Sequence, residues 1–176
     1  MLTRLAVFFA LLALALNIRA ATLDEAIKSF DSGQYEQAAK LLRPLADQGD
    51  ASAQHRLSML YFYGRGVPED ETVAMEWAKR SADQGNLDAM YFIGTMYMFG
   101  DQVHNTVEAP DLEAAKWFFE AASRGHADAE YSLGLLFLAG KGVVQNQEEA
   151  MRWIRRAADH GHVSAQSFLS GGGHAK

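Results

Sequence analysis

Three sets of residues in this chain have types and spacings that could do chemistry. His160-Gly161-His162 is the histidine pair with a metal-like separation, and two imidazoles can share an ion. No third ligand is placed by the sequence. The same three positions read Gln84-Gly85-Asn86 and Arg124-Gly125-His126 earlier in the chain, which is how a variable turn behaves. Gly64-x-Gly66 and Gly140-x-Gly142 resemble phosphate loops only in their glycines, since neither has the strand-turn-helix context or the following lysine that cradles a phosphate. Ser58 and Ser170 stand where Gly94 and Gly134 stand in the same pattern, so they read as small packing residues rather than activated nucleophiles. The paired carboxylates Glu69-Asp70 and Glu148-Glu149 open helices, where the helix dipole favours negative charge. The expectation is a protein with no catalytic residues, no metal and no other cofactor, and not an enzyme.

These residues recur because the chain is written in units. Trp77, Trp117 and Trp153 sit at equivalent points, as do Gly49, Gly85, Gly125 and Gly161, whose spacings are 36, 40 and 36. Repeats of this length build stacked helical arrays, in which each unit buries its apolar face against its neighbours. Within a unit, Ala53, Leu57, Tyr61 and Gly64 fall four, four and three residues apart, and Ala89, Ile93, Tyr97, Gly100 and Ala129, Leu133, Phe137, Gly140 repeat the stripe. A second stripe follows at Ala74, Trp77, Ala78, Ala82 and its equivalents Ala114, Trp117, Phe118, Ala122 and Ala150, Trp153, Ile154, Ala158. Each unit therefore reads as a helical hairpin punctuated by glycines.

The ends are different. Arg4 and the apolar run from Leu5 to Leu16, followed by Ile18-Arg19-Ala20, predict a signal peptide over 1–20 with Ala21 as the new terminus. The predicted solenoid covers 21–170: a divergent first hairpin at 22–49, repeats at 50–85, 86–125 and 126–161, and a partial helix at 162–170. Residues 171–176, with Gly171-Gly172-Gly173, are expected to be a flexible tail. Pro44 is expected to weaken or kink the second helix of the first hairpin.

The full chain of 176 residues has a formal charge of −6, and loss of Arg4 and Arg19 with the leader makes it −8. That acidity argues against nucleic acid, whose phosphates are neutralised by Lys and Arg. The absence of cysteine excludes disulfides and thiolate zinc sites.

The run Ala53-Gln54-x-x-Leu57-x-x-x-Tyr61-x-x-Gly64-x-Gly66-Val67-Pro68, then Ala74-x-x-Trp77 and Ala82-Asp83-Gln84-Gly85, resembles the Sel1-like repeat family, relatives of the tetratricopeptide repeats. Leu41-Leu42-Arg43-Pro44-Leu45-Ala46-Asp47-Gln48-Gly49 is similar to the divergent first unit of bacterial members. Gln102 departs from the loop glycine seen at Gly66 and Gly142, and the last unit is truncated. The resemblance implies an all-α, right-handed α-solenoid of antiparallel helix hairpins whose concave face binds another protein. It further implies an adaptor or regulator of the bacterial cell envelope, periplasmic or secreted. Its alternatives are an immunity protein that neutralises a toxin and a β-lactam-binding or hydrolysing protein of the cysteine-rich branch, which the absence of cysteine disfavours.

Partner specificity in such an array belongs to positions the repeat leaves free. On the first helices, Met59 and Tyr63, then Phe92, Thr95 and Phe99, then Leu135, form the expected partner-binding face, rich in aromatic and methionine anchors. The four extra residues of the middle unit fall between Val103 and Pro110, read as a tolerated surface insertion around 104–109. No membrane insertion after leader removal is expected. Phe168 and Leu169, on the short final helix, leave an apolar end consistent with a monomer or weak dimer.

Overall fold

The computed structural model describes residues 22–171, and among these the regular structure is entirely helical. The signal-peptide expectation for 1–20 and the residues after Gly171 lie outside the described residues. In chain order the helices are α1 (22–31), α2 (Tyr35–Asp47), α3 (Ala51–Phe62), α4 (Glu71–Asp83), α5 (Leu87–Phe99), α6 (Asp101–Thr106), α7 (Pro110–Ser123), α8 (Ala127–Ala139), α9 (Gln147–Asp159) and α10 (Val163–Gly171). The chain forms two compact units that meet in sequence between Arg80 and Ser81.

In the first unit the core gathers Ala26 of α1, Leu42 and Leu45 of α2, Leu57 and Leu60 of α3, and Trp77 of α4. Leu42, Leu57 and Leu60 are essentially inaccessible, so each contributes about 1.5–3 kcal/mol of apolar burial. Asp50 starts α3 by accepting the amide of Ala53 at 2.9 Å, and Asp70 accepts the amide of Val73 at the same distance. Asp70, suggested above as half of a carboxylate pair, is thus a helix cap. Gly66 (φ +71°) brings the loop after α3 so close to the backbone of Tyr35 and Glu36 that a β-carbon would overlap them. Pro44 does not break α2, which runs on to Asp47. The loss is one amide donor that would have served Lys40, and the following turn is closed by the amide of Gln48 bonding to Pro44.

The second unit repeats these devices with its own variations. Asn86 caps α5 by accepting the amide of Ala89 at 3.1 Å, and Asn146 caps α9 by accepting those of Glu148 and Glu149 at 3.0 and 3.1 Å. Glu148 and Glu149 face Arg152 at 3.6 and 3.0 Å, an exposed surface pairing that accounts for both carboxylates. Gly142 (φ +66°) sets the loop after α8 against the backbone of Asp111 and Leu112 at the start of α7, as Gly66 does in the first unit. The middle hairpin differs. Gly100 is extended (φ −76°, ψ 124°) rather than left-handed, and the residues after it, Gln102 and the first part of the insertion among them, wind into the short helix α6, which ends at Thr106.

Helix pairs α5 with α7, α7 with α8, α8 with α9 and α9 with α10 make the contacts of this unit. Their closeness depends on Gly94, where a β-carbon would fall 2.5 Å from the Phe118 ring, and Gly134, where it would fall 2.7 Å from Cγ1 of Ile154 and 3.1 Å from the Ala150 carbonyl. Ser58, at the corresponding place in α3, is fully buried and donates its hydroxyl to the His55 carbonyl at 2.6 Å. Gly134→Ala pits two effects against each other. Alanine is the better helix former by about 1 kcal/mol, whereas crowding a packed contact costs about 1–3 kcal/mol. Ile154 is completely buried and its Cγ1 cannot swing away, so crowding wins. We expect Gly134→Ala to lower stability by about 1–2 kcal/mol in urea unfolding, and an increase would sink this account of the contact.

Candidate interaction surface

The residues expected to meet a partner do not share one environment. In the first unit Met59 is half-buried and Tyr63 is 45% exposed. The Tyr63 ring meets Phe62 edge to face with centroids 5.0 Å apart and takes the Arg65 guanidinium 5.0 Å from its centroid. In the second unit Phe99 is 71% exposed, Leu135 is exposed, and Thr95 is half-buried with its hydroxyl donating to the Tyr91 carbonyl at 3.2 Å.

Phe92 must be corrected, because it is 5% exposed and belongs to the core. α5 buries Ala89, Met90, Phe92, Ile93, Gly94 and Met96, a sector of roughly 200° at 100° per residue. A face read as offset from the core stripe therefore lies inside it. At the equivalent place in α8 stands Ser132, which is half-buried.

The histidines have structural roles. His126 Nδ1 accepts the amide of Ala129 at 3.2 Å, so its proton sits on Nε2, which faces Asp88 at 3.1 Å. The ring stacks on Tyr91 with centroids 5.0 Å apart. His162 repeats the arrangement, accepting from Ala165 at 3.1 Å, stacking on Tyr131 at 4.4 Å and standing 3.5 Å from Asp128. His160 turns instead to Glu130, Nδ1 to Oε2 at 2.8 Å. Glu130 is fully buried, and its other oxygen lies 2.6 Å from Nε of Arg156, an ion pair rather than an aligned hydrogen bond. At the places equivalent to Glu130, Gln54 and Gln166 donate to the carbonyls of Ala46 and Ala158, both at 3.0 Å. Among the described residues no group of three potential ligands is placed to hold a metal, and no helix is long and apolar enough to cross a membrane.

Each unit carries a concavity that no stripe within a single unit announces, and the two are built alike. In the first unit Ala39, Lys40 and Arg43 of α2, Leu57 and Tyr61 of α3, and the loop residue Val67 enclose about 420 Å³. In the second, Leu112, Ala115, Lys116 and Phe119 of α7, Leu133 and Phe137 of α8, and Val143 enclose about 250 Å³. The floors match position by position, but the rims do not. Arg43 donates to the Tyr61 hydroxyl at 2.9 Å and stands 5.6 Å from the Trp77 ring centroid, so the first concavity is rimmed by a fixed cation. Phe119 occupies the Arg43 position in the second, 52% exposed and edge-on to Trp153 at 5.9 Å. A signal for this existed in the sequence. Read across the units, one column is Arg43, Lys79, Phe119, Arg155 and another Glu36, Thr72, Leu112, Glu148, so Phe119 and Leu112 are apolar where every counterpart is polar.

Beside α7, burial raises the phenol of Tyr97 above its ordinary range, Glu113 adding to the effect and Lys116 opposing it.

Comparison with known proteins agrees with this architecture. The model of the Sel1 repeat matches residues 32–50, 51–86, 87–126 and 127–162. A Sel1 repeat protein from Oxalobacter formigenes, solved by crystallography, is 34% identical, with a TM-score of 0.70 over 80% of this chain and 56% of that one. Helicobacter pylori cysteine rich protein B, at 19% identity and a TM-score of 0.54 over 82% of this chain and 94% of that one, shares the fold. Among curated proteins, an exopolysaccharide production negative regulator of Rhizobium meliloti (strain 1021) is 29% identical over 80% of this chain. A chitin synthase regulator of Malassezia restricta is 32% identical over 77%. The chain spans 56% of the first of these relatives and 9% of the second. Sel1 repeat proteins bind other proteins and are generally non-catalytic scaffolds. Four matched repeats, an all-helical fold and these neighbours together establish that the chain belongs to the Sel1 repeat family, with an α-solenoid class of architecture.

Proposed function

We propose that this chain is a non-enzymatic interaction module of the bacterial cell envelope, an adaptor or regulator that acts by holding another protein. The observation that carries the reading is a division of labour among the side chains. Alanines, leucines and glycines shared by the repeats are consumed by packing, while Tyr63, Phe99, Phe119 and Leu135, which differ from repeat to repeat, stay exposed. Large apolar side chains held rigidly at the surface favour binding to another protein. A regulatory role fits the relative described as a negative regulator of exopolysaccharide production. The basic and apolar run before Ala21 supports action outside the cytoplasm.

The test is crosslinking in living cells from a photoreactive residue at Phe99. One dominant envelope protein should be captured, and its purified form should bind this chain directly. Turnover of a β-lactam by the purified chain, with no partner captured, would overturn the proposal.

A further inference from the structure

Specificity in a repeat array resides where one unit departs from the others, and the strongest departure here is the second unit's concavity. Leu112 and Phe119 replace residues that are polar in every counterpart, and both line the same slot from α7, two turns apart on one face. Both are exposed, at 42% and 52%. Apolar side chains at two such positions converge on one cavity of about 250 Å³, room for a single large side chain. The walls are otherwise Ala115, Leu133, Phe137 and Val143, and the one charged residue among the lining groups is Lys116.

Lys116 decides what kind of segment fits. It is 59% exposed and engaged with Glu113 at 2.6 Å, a surface pair of little net worth that a second carboxylate can compete for. An apolar slot with one cation at its rim complements an apolar side chain followed by an acid. We propose that this slot is a docking site for a partner protein's segment in which an aromatic or large aliphatic residue is followed by Asp or Glu. The apolar side chain enters between Leu112, Phe119 and Phe137, and the carboxylate meets Lys116. The first unit's concavity carries Glu36 and Arg43 where the second carries Leu112 and Phe119, so its rim is charged rather than apolar. This inference rests on the interaction-module reading and adds the surface and the chemistry of its partner.

The probe is the dipeptide acetyl-Phe-Glu-amide, titrated into the full chain while the methyl signals of Leu112, Leu133 and Val143 are followed by NMR. Saturable shifts confined to these methyls are expected, with a dissociation constant of about a millimolar, in keeping with so small a ligand. Acetyl-Ala-Glu-amide should bind at least about tenfold more weakly because it leaves the slot empty. Acetyl-Phe-Gln-amide should bind about threefold more weakly, as should the parent dipeptide in high salt. Phe119→Arg and Leu112→Glu install residues that other units carry at these positions, so helical content should persist while the shifts disappear. Shifts that survive both variants, or that scatter over the molecule, overturn the site, and equal binding of the Gln dipeptide overturns the role of Lys116. If a partner is still captured from Phe99 while the dipeptide fails to bind, the slot falls and the module reading stands. If the dipeptide binds and no partner is captured, the reverse holds.

Discussion

Gly142→Ala should cost about 3–4 kcal/mol, whereas Gly161→Ala should cost only about 1–2, although both glycines have positive φ. The left-handed conformation is common to the two, at +66° and +87°, and an alanine there loses about 1–2 kcal/mol whatever surrounds it. The difference lies in space. A β-carbon at Gly161 meets nothing within 4 Å, whereas at Gly142 it collides with the Asp111 carbonyl and the Leu112 amide. Those are backbone atoms in the first turn of α7, which cannot rotate aside as a side chain can, so loop and helix must separate. For a chain of this size the gap between the variants amounts to about 4–8 °C in Tm. Thermal unfolding followed by circular dichroism checks it, and equal losses would show that the loop does not seat on α7 as described.

Arg156→Ala is the second large effect, expected at about 3 kcal/mol. Removing one partner of a buried ion pair costs about 3–5 kcal/mol because the other charge is stranded. The lower end applies here, since Arg156 is 43% exposed and His160 still reaches Glu130. The repeat supplies the rescue. Glutamine occupies the Glu130 position at Gln54 and Gln166 and donates to Ala46 and Ala158, and the matching acceptor for residue 130 is the Ala122 carbonyl. Glu130→Gln in the Arg156→Ala background should therefore recover more than half of the loss. Urea unfolding of the single and double variants decides the matter, and a double variant no more stable than Arg156→Ala would mean that the stranded carboxylate is not the source of the cost.

Scaffold and surface were legible in the sequence to different degrees, for physical reasons. Alanine and glycine at fixed offsets report directly on helix contact distance, and so Gly94 and Gly134 read as close helix contacts from their alignment, while the structure supplies what they meet, Phe118 and Ile154. The sector of a helix that is buried depends on how many neighbours it has, which no single stripe reveals. The stripe alone places Phe92 on a free face, and the neighbours of α5 bury it. The capping role of His126 and His162 was equally hidden, because it depends on Asp and Tyr residues more than thirty positions earlier. The slot on α7 was hidden for a different reason. The expected partner-binding face belongs to the first helix of each unit, whereas the informative departures, Leu112 and Phe119, lie on a second helix. Comparing columns across units, rather than stripes within one, exposes them.

The two stacked histidines also bear on how such a protein evolves. His126 is keyed to Asp88 and Tyr91, and His162 to Asp128 and Tyr131, each histidine opening one unit and reading residues of the unit before it. Asn86 opens its unit without an imidazole, so the hairpins are not interchangeable beads. Shuffling or duplicating them carries a junction rule: a segment that begins with histidine must follow one that offers the aspartate and the tyrosine. The order of the hairpins is thereby inherited along with their number.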